Sequence, residues 1–176
     1  DNNSVDDSMN IVNTFDFENI KTYTIDSYTP GKSINFGVSK CSNDYILVLS
    51  AHSQIMNCEF GKIKGLLDEH CVVGGKQIPV WNGKKISRRY VWSNFEEHDI
   101  VNQFSNNENR YFLHNAFAFY TKQTLTDYPF DETLSGKEDR YWVNDRIEQG
   151  MDSYYDSVTT CHHHYTDNGA TWKGIG

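Results

Sequence analysis

A chain of 176 residues, 38% apolar and 14% aromatic, is long enough to bury a core, and one domain is the count it supports. Its formal charge of −8 argues against nucleic acid as a main partner and supplies no field to attract an anion, so a phosphate-bearing substrate needs a metal, helix N-termini or a few placed cations. No apolar run approaches the roughly 18 residues of a transmembrane span, and the four scattered cysteines, which form no CxxC pair, read as reduced, mostly buried thiols in a reducing compartment.

In chain order, Asp1 to Ser8 (DNNSVDDS) is turn and helix-cap sequence with no element ahead of it to connect. Met9 to Phe15 reads as a helix, and Lys21 to Ile25 (KTYTI) as a strand from its β-branched and aromatic content. Gly31 to Ser42 is helical in pattern. The apolar run Tyr45-Ile46-Leu47-Val48-Leu49 is the best candidate for a strand buried on both faces, as in a parallel sheet. Phe60 to Leu67 reads as a helix, and Cys71 to Val73 as a strand ended by Gly74-Gly75. Lys76 to Arg110 is polar, with loops expected. Tyr111 to Tyr120 reads as one long strand, Thr121 to Leu125 as a helical turn and Asp131 to Ser135 as a loop. An amphipathic helix opens at Glu138 and ends at Gly150, and a short β-rich run leads to His162-His163-His164. This alternation points to an α/β sheet.

The segment from Lys137 to His164 carries most of the chemical signal. Asp139, Trp142, Val143 and Arg146 follow i, i+3, i+4, i+7 and share one helix face. Trp142 and Val143 want burial, which sets Asp139 where the buried stripe meets the positive end of the helix dipole, a place suited to a hydroxyl-activating base. Plain capping by Ser135, Glu138 and Asp139 explains the same residues and is favoured by spacing alone. On a strand, His162 and His164 point one way and His163 the other. Two same-face imidazoles can bind a divalent metal with a further ligand. His52 is the candidate, because it lies just past the Tyr45 to Leu49 strand and crevices of open α/β sheets lie beyond the carboxyl ends of strands. A surface histidine run beside a hydrogen-bonded His52 accounts for them equally well. Gly31-Lys32-Ser33 is no phosphate loop, since position 26 is Asp and not the spaced glycine. Arg88-Arg89 reads as a solvated pair, Glu96-Glu97-His98 lacks the second histidine of a zinc protease helix, and no GxSxG or Cys/His nucleophile signature is present.

Taken in order, DNNSVDDS, GKSINFGVSK, YILVLSAHSQIM, VVGGKQIP, HNAFAFYTKQ, FDETLSGKEDRYW and YYDSVTTCHHHY resemble the family 2 glycosyltransferases, which have the GT-A fold, over nearly the whole chain. The SAH after the apolar strand resembles the rhamnosyltransferase-like members. The resemblance implies a mixed, mainly parallel sheet flanked by helices, in one catalytic domain over residues 1–176. It implies inverting transfer of a hexosyl or deoxyhexosyl group from a nucleotide-diphosphate sugar to a hydroxyl of a glycan or lipid-linked acceptor. Such a role belongs to polysaccharide biosynthesis, in the cytoplasm or at the inner face of the membrane.

By position, Asp1 matches the acidic residue that contacts the donor's base, and Lys32 and Asn35 lie in the segment that flanks the nucleotide. Ser50-Ala51-His52 occupies the place of the DxD metal motif, with Ser50 and His52 replacing both carboxylates. Asp139, second of the Glu138-Asp139 pair, matches the catalytic base, and His162 with His164 matches the distal histidine near diphosphate and metal. The implied cofactor is Mn²⁺ or Mg²⁺, with His52, His162 and His164 as its ligands. The family opens with a strand and helix ahead of the DNNS turn, so a chain cut short by its first βα unit is expected. A non-catalytic glycan- or nucleotide-binding module derived from such an enzyme is the alternative; the altered DxD position supports it and the retained Glu138-Asp139 opposes it. A metallohydrolase built on the histidines would want a neighbouring carboxylate, and Asp156 and Asp167 fit no zinc-hydrolase spacing.

Overall fold

The computed structural model describes residues 1, 4–81, 84–85 and 90–165. In chain order these form α1 (Ser8–Asn13), α2 (Pro30–Lys40), β1 (Tyr45–Leu49), β2 (Ser53–Asn57), α3 (Phe60–Leu67), β3 (Val72–Trp81), β4 (Lys84–Lys85), a 3-10 turn at Tyr90–Asn94, β5 (Ile100–Val101), β6 (Phe104–Ser105), β7 (Arg110–Tyr111), β8 (Phe117–Thr121), α4 (Lys122–Asp127), α5 (Glu138–Glu148) and β9 (Ser153–His164). The main sheet runs β1-β8-β3-β9-β2, with β4 beside β3 and β5 beside β9, while β6 and β7 make a small hairpin. The sheet is mixed, as expected. Among the described strands its parallel pairing is confined to β3 and β9 and does not predominate.

Alternation along the strands divides the core into two layers. Val72 and Tyr120 face α2, α4 and α5, where they meet Val38, Leu125, Trp142 and Val143. Val73 and Phe119 face the other way, onto Ile63 and Leu67 of α3. A third cluster, Val91, Trp92, Phe112 and Tyr165, closes the end nearest the histidines. Trp142 and Val143 therefore lie inside with Asp139, as the helical spacing requires, and Gly150 adopts φ +87° to turn the chain out of α5.

Several expected elements differ. β1 is not buried on both faces: β8 is its only strand neighbour among the described residues, and Tyr45 and Leu49 are exposed. Lys21 to Ile25 forms no strand. Among the described residues, Tyr23 O and Ile25 N bond to the main chain of Asp1, at 2.6 and 3.0 Å, without a ladder along the segment. β3 does not stop at Gly74-Gly75 but passes through them. A Cβ on Gly75 would collide with the Phe117 ring and stand 3.0 Å from Thr159 O, so glycine here permits close strand packing. At that point β9 bulges past β3, and the buried Asp156 carboxylate fastens the bulge by accepting from Val158 N (3.2 Å), Thr159 Oγ1 (2.8 Å) and Lys62 Nζ (2.8 Å). The Tyr111 to Tyr120 run is not one strand. It breaks between β7 and β8 because the main chain at Asn115 is diverted to a side chain of α5.

Candidate functional site

The first turn of α5 sets two carboxylates at the mouth of the core. Lys137 is the N-cap in the left-handed region (φ 62°) and its side chain makes no cap bond, but Asp139 accepts a first-turn N–H, so capping accounts for part of what that carboxylate does. Glu138 and Asp139 are both buried. Asp139 Oδ2 accepts the Asn115 N–H at 2.9 Å; Oδ1 accepts the Arg140 N–H at 2.8 Å and Arg140 Nη1 at 3.1 Å. Support for Glu138 is weaker and comes from its own backbone N–H, Asn115 and Arg140. Burial, then the charge of Asp139 beside it, push its carboxyl up to about 7 from an ordinary 4.5, against the pull of Asn115 and Arg140. Burial and Glu138 in turn raise Tyr28, and Tyr120, whose hydroxyl donates to Asn115 Oδ1, is pushed well up by burial.

Across the cleft, β1 ends at Ser50, whose N–H donates to Ala116 O (3.1 Å), and a tight turn follows, with Ser53 N donating to Ser50 O (2.9 Å). The turn delivers His52 onto the last residues of β9, where His164 N donates to His52 O at 2.8 Å. His52 Nε2 and His163 Nε2 lie 2.8 Å apart. Gln77 Nε2 donates to His114 O (2.9 Å), so Gln77 Oε1 is the acceptor that faces His163 Nδ1 at 2.9 Å. The network thus assigns the His163 proton to Nδ1 and turns its Nε2 lone pair toward His52. Burial, then the nearby His164, lower the His52 pKa and favour its neutral form.

These groups line one cleft of about 700 Å³. Of the residues singled out from sequence, Asp1, Ser50, His52, Glu138 and Asp139 meet in it. Asp1 also accepts from Ser4 N (3.1 Å). Lys32 and Asn35 do not line it, although Pro30, Ser33 and Ile34 of the same helix do. The Lys32 ammonium bonds Ser27, and Asn35 is spent on the loop after α4: its amide donates to Phe130 O (2.9 Å) and Glu132 Oε1 (3.0 Å) and accepts from Phe130 N (3.0 Å). His162 and His164 share a face, as alternation requires, with rings 6.0 Å apart, but that face is not the cleft. His163 points there instead. The phase was legible, since Cys161 and Tyr165, two residues to either side, are the side chains that want the core. Arg88, Arg89 and Asp167 fall outside the described residues.

The sequence gives no hint of Asn115, which reaches Asp139 from 24 positions away, or of the part Arg140 plays, which depends on Glu108, 32 positions away. In this network His52 Nε2 donates to His163 Nε2, so a metal would be held by both Nε2 atoms only after His52 moved its proton to Nδ1; His163 would be steadied from behind by Gln77, an arrangement common to metal-binding histidines. No group of three or more His, Cys, Asp or Glu side chains among the described residues is placed to hold an ion. Any ion here takes its remaining ligands from substrate oxygens and water. Nitrogen donors suit Mn²⁺ better than Mg²⁺.

No family model and no curated protein matches the sequence. Solved structures do. TarS residues 1–349 of S. aureus, in complex with UDP-GlcNAc, superposes with a TM-score of 0.67 at 20% identity, over 96% of this chain and 49% of that one. The same protein in complex with UDP gives 0.64 at 20% identity, over 94% and 50%. A longer TarS structure gives 0.61 over 91% and 29%. The chain thus spans about half the length, or less, of the structures it matches. No helix among the described residues is long and apolar enough to cross a membrane. At this identity the likeness concerns architecture, and the architecture expected from the seven ordered segments, a GT-A sheet flanked by helices, is the one the chain has.

Proposed function

We propose that this chain carries the centre of an inverting glycosyltransferase of the family 2 type, which moves a sugar from a nucleotide-diphosphate donor to an acceptor hydroxyl. The observation that carries this reading is the meeting of the Glu138-Asp139 pair and the His52-His163 pair in one cleft, at the carboxyl ends of β1 and β9. The UDP and UDP-GlcNAc complexes among structures of the same fold support a nucleotide-sugar donor.

In this reading Asp139 Oδ2 takes the proton of the acceptor hydroxyl, whose oxygen bonds to the anomeric carbon. The bond from that carbon to the phosphate oxygen breaks on the opposite face, and its electron pair leaves with the nucleoside diphosphate. Burial of the base and its fixed N–H partners keep it oriented without reorganisation during the step. His52 and His163 would hold the divalent ion, whose charge stabilises a departing diphosphate. Asp1 and Tyr28, which line the same cleft, would face the nucleotide. The acceptor is a glycan or lipid-linked saccharide, as the resemblance implies.

Calorimetric titration of UDP-GlcNAc, with and without Mn²⁺, separates the histidines. His52→Ala and His163→Ala should each weaken the Mn²⁺ enhancement of binding about 10- to 100-fold, whereas His162→Ala should leave it intact. An undiminished Mn²⁺ response in both of the first two variants would remove the metal from this cleft.

A further inference from the structure

Arg140 follows Asp139 directly in the chain, and neighbours at i, i+1 on a helix do not face each other. Its guanidinium nevertheless folds back onto Asp139 Oδ1 at 3.1 Å. Two groups from outside the helix hold it there: Glu108 Oε1 in the β6–β7 turn, 2.9 Å from Nε, and the Phe112 ring, 5.3 Å from the guanidinium carbon. Glu108, Glu138, Asp139 and Arg140 all have buried side chains. With every acid ionised this cluster would hold two uncompensated negative charges, and a proton on one carboxyl leaves a single one.

Resting on the glycosyltransferase reading above, we infer that Arg140, braced by Glu108, decides which carboxyl of the Glu138-Asp139 pair carries that proton and which oxygen does the chemistry. A carboxylate offers about four lone-pair sites. Asp139 uses both sites of Oδ1 on Arg140 and one of Oδ2 on the Asn115 N–H. A proton on Asp139 would take its one remaining site and strip the charge from the three bonds it accepts, two of them from Arg140, so the proton resides on Glu138. The one remaining site, on Oδ2, is the place for the acceptor hydroxyl. Arg140 is a positioning residue: it acts on the reaction only through Asp139.

Other ionisable groups face the cluster. Tyr28, ahead of α2, and Tyr120, on β8, are phenols that burial holds in the neutral form. Lys137 precedes the pair, and Asp1, His52, His114 and His163 stand around the cleft. Glu108 loses its own ion pair when Arg140 changes, so an NMR titration, which reads each carboxyl separately, stands beside the pH profile to assign the shift to the pair.

The test is the pH–rate profile of UDP-GlcNAc turnover for wild type, Arg140→Gln and Arg140→Lys, together with ¹³C-carboxyl NMR titration of the same proteins. Losing the guanidinium should move the acid limb of Arg140→Gln upward by about one pH unit, because removing a positive charge makes the pair hold its proton to higher pH. Transfer should then fall about ten-fold at pH 6 and approach wild type at pH 9. Lysine should restore most of the limb. An equal loss at every pH, unrelieved by lysine, would mean a structural role and overturn the inference.

The NMR titration needs no turnover. It should assign the near-neutral proton of wild type to Glu138 and spread it over both carboxyls in Arg140→Gln. That pattern in a protein without transfer would sink the glycosyltransferase reading and leave the proton assignment standing. Transfer with an unmoved titration would do the reverse. Should the glutamine variant not fold, Arg140→Met keeps the aliphatic stem against the Phe112 ring while removing the charge, and it should raise the limb in the same direction; an unmoved limb in that folded variant overturns the inference.

Discussion

Asp139→Asn should cut sugar transfer by about 10³-fold while leaving donor affinity within about three-fold of wild type. An amide at this position keeps the size of the side chain and one oxygen for an N–H partner, but it cannot take a proton from a hydroxyl at neutral pH. The cost should appear in kcat and kcat/KM together, since the lost interaction is one made only as the hydroxyl is attacked. Donor binding should survive because the groups proposed to meet the diphosphate, His52 and His163, belong to different elements. A thermal melt guards against a trivial cause, as the variant also loses an ion pair with Arg140. Undiminished turnover in a folded variant would remove Asp139 from the role of base.

Trp142→Ala should cost about 3–5 kcal/mol of stability, the range for deleting a buried indole. The ring is 5% exposed and meets Tyr120 and Phe130 at centroid distances of 5.4 and 5.5 Å. Its Nε1–H donates to Tyr128 O at 2.6 Å, tying α5 to the segment after α4. Alanine would leave a cavity where three elements meet and an unpaired carbonyl beside it. Trp142→Phe keeps most of the ring volume and loses the hydrogen bond, so it should cost only about 1–2 kcal/mol. Chemical denaturation of the two variants checks the ratio; equal losses would assign the stability to the hydrogen bond and not to packing. Because Trp142 lies one turn beyond Asp139 on the same face, the alanine variant should also lose transfer out of proportion to its folded fraction.

The fold was readable wherever a local pattern agreed with the tertiary outcome. The i, i+3, i+4, i+7 stripe from Asp139 located α5 and its buried face, and the run Phe60 to Leu67 gave α3 with the ends it has. Patterns failed where distant chain decided. The composition of β1 suits burial on both faces, but burial depends on neighbours that composition does not name. Gly74-Gly75 looks like a stop, yet the Phe117 ring makes glycine a condition of strand pairing there. The same division runs through the site. Glu138, Asp139, Ser50 and His52 carry their signal in short motifs and reach the cleft, whereas Lys32 and Asn35 share a helix with cleft residues but point to other partners. Alternation separates His163 from His162 and His164 but does not by itself say which face meets the ligand; the metal role assigned to His162 and His164 falls on the wrong face, and the burial of Cys161 and Tyr165 is what fixes the phase. Arg140 and Glu108 lie 32 positions apart, and nothing local announces their pairing.

The most direct measurement is a crystal structure of the protein with UDP-GlcNAc bound. It should show the diphosphate against His52 and His163, the uridine toward Asp1 and Tyr28, and Asp139 Oδ2 on the face of the anomeric carbon opposite the leaving oxygen. A diphosphate seated elsewhere, or a sugar whose anomeric carbon presents that face to bulk solvent and not to Asp139, would contradict the account.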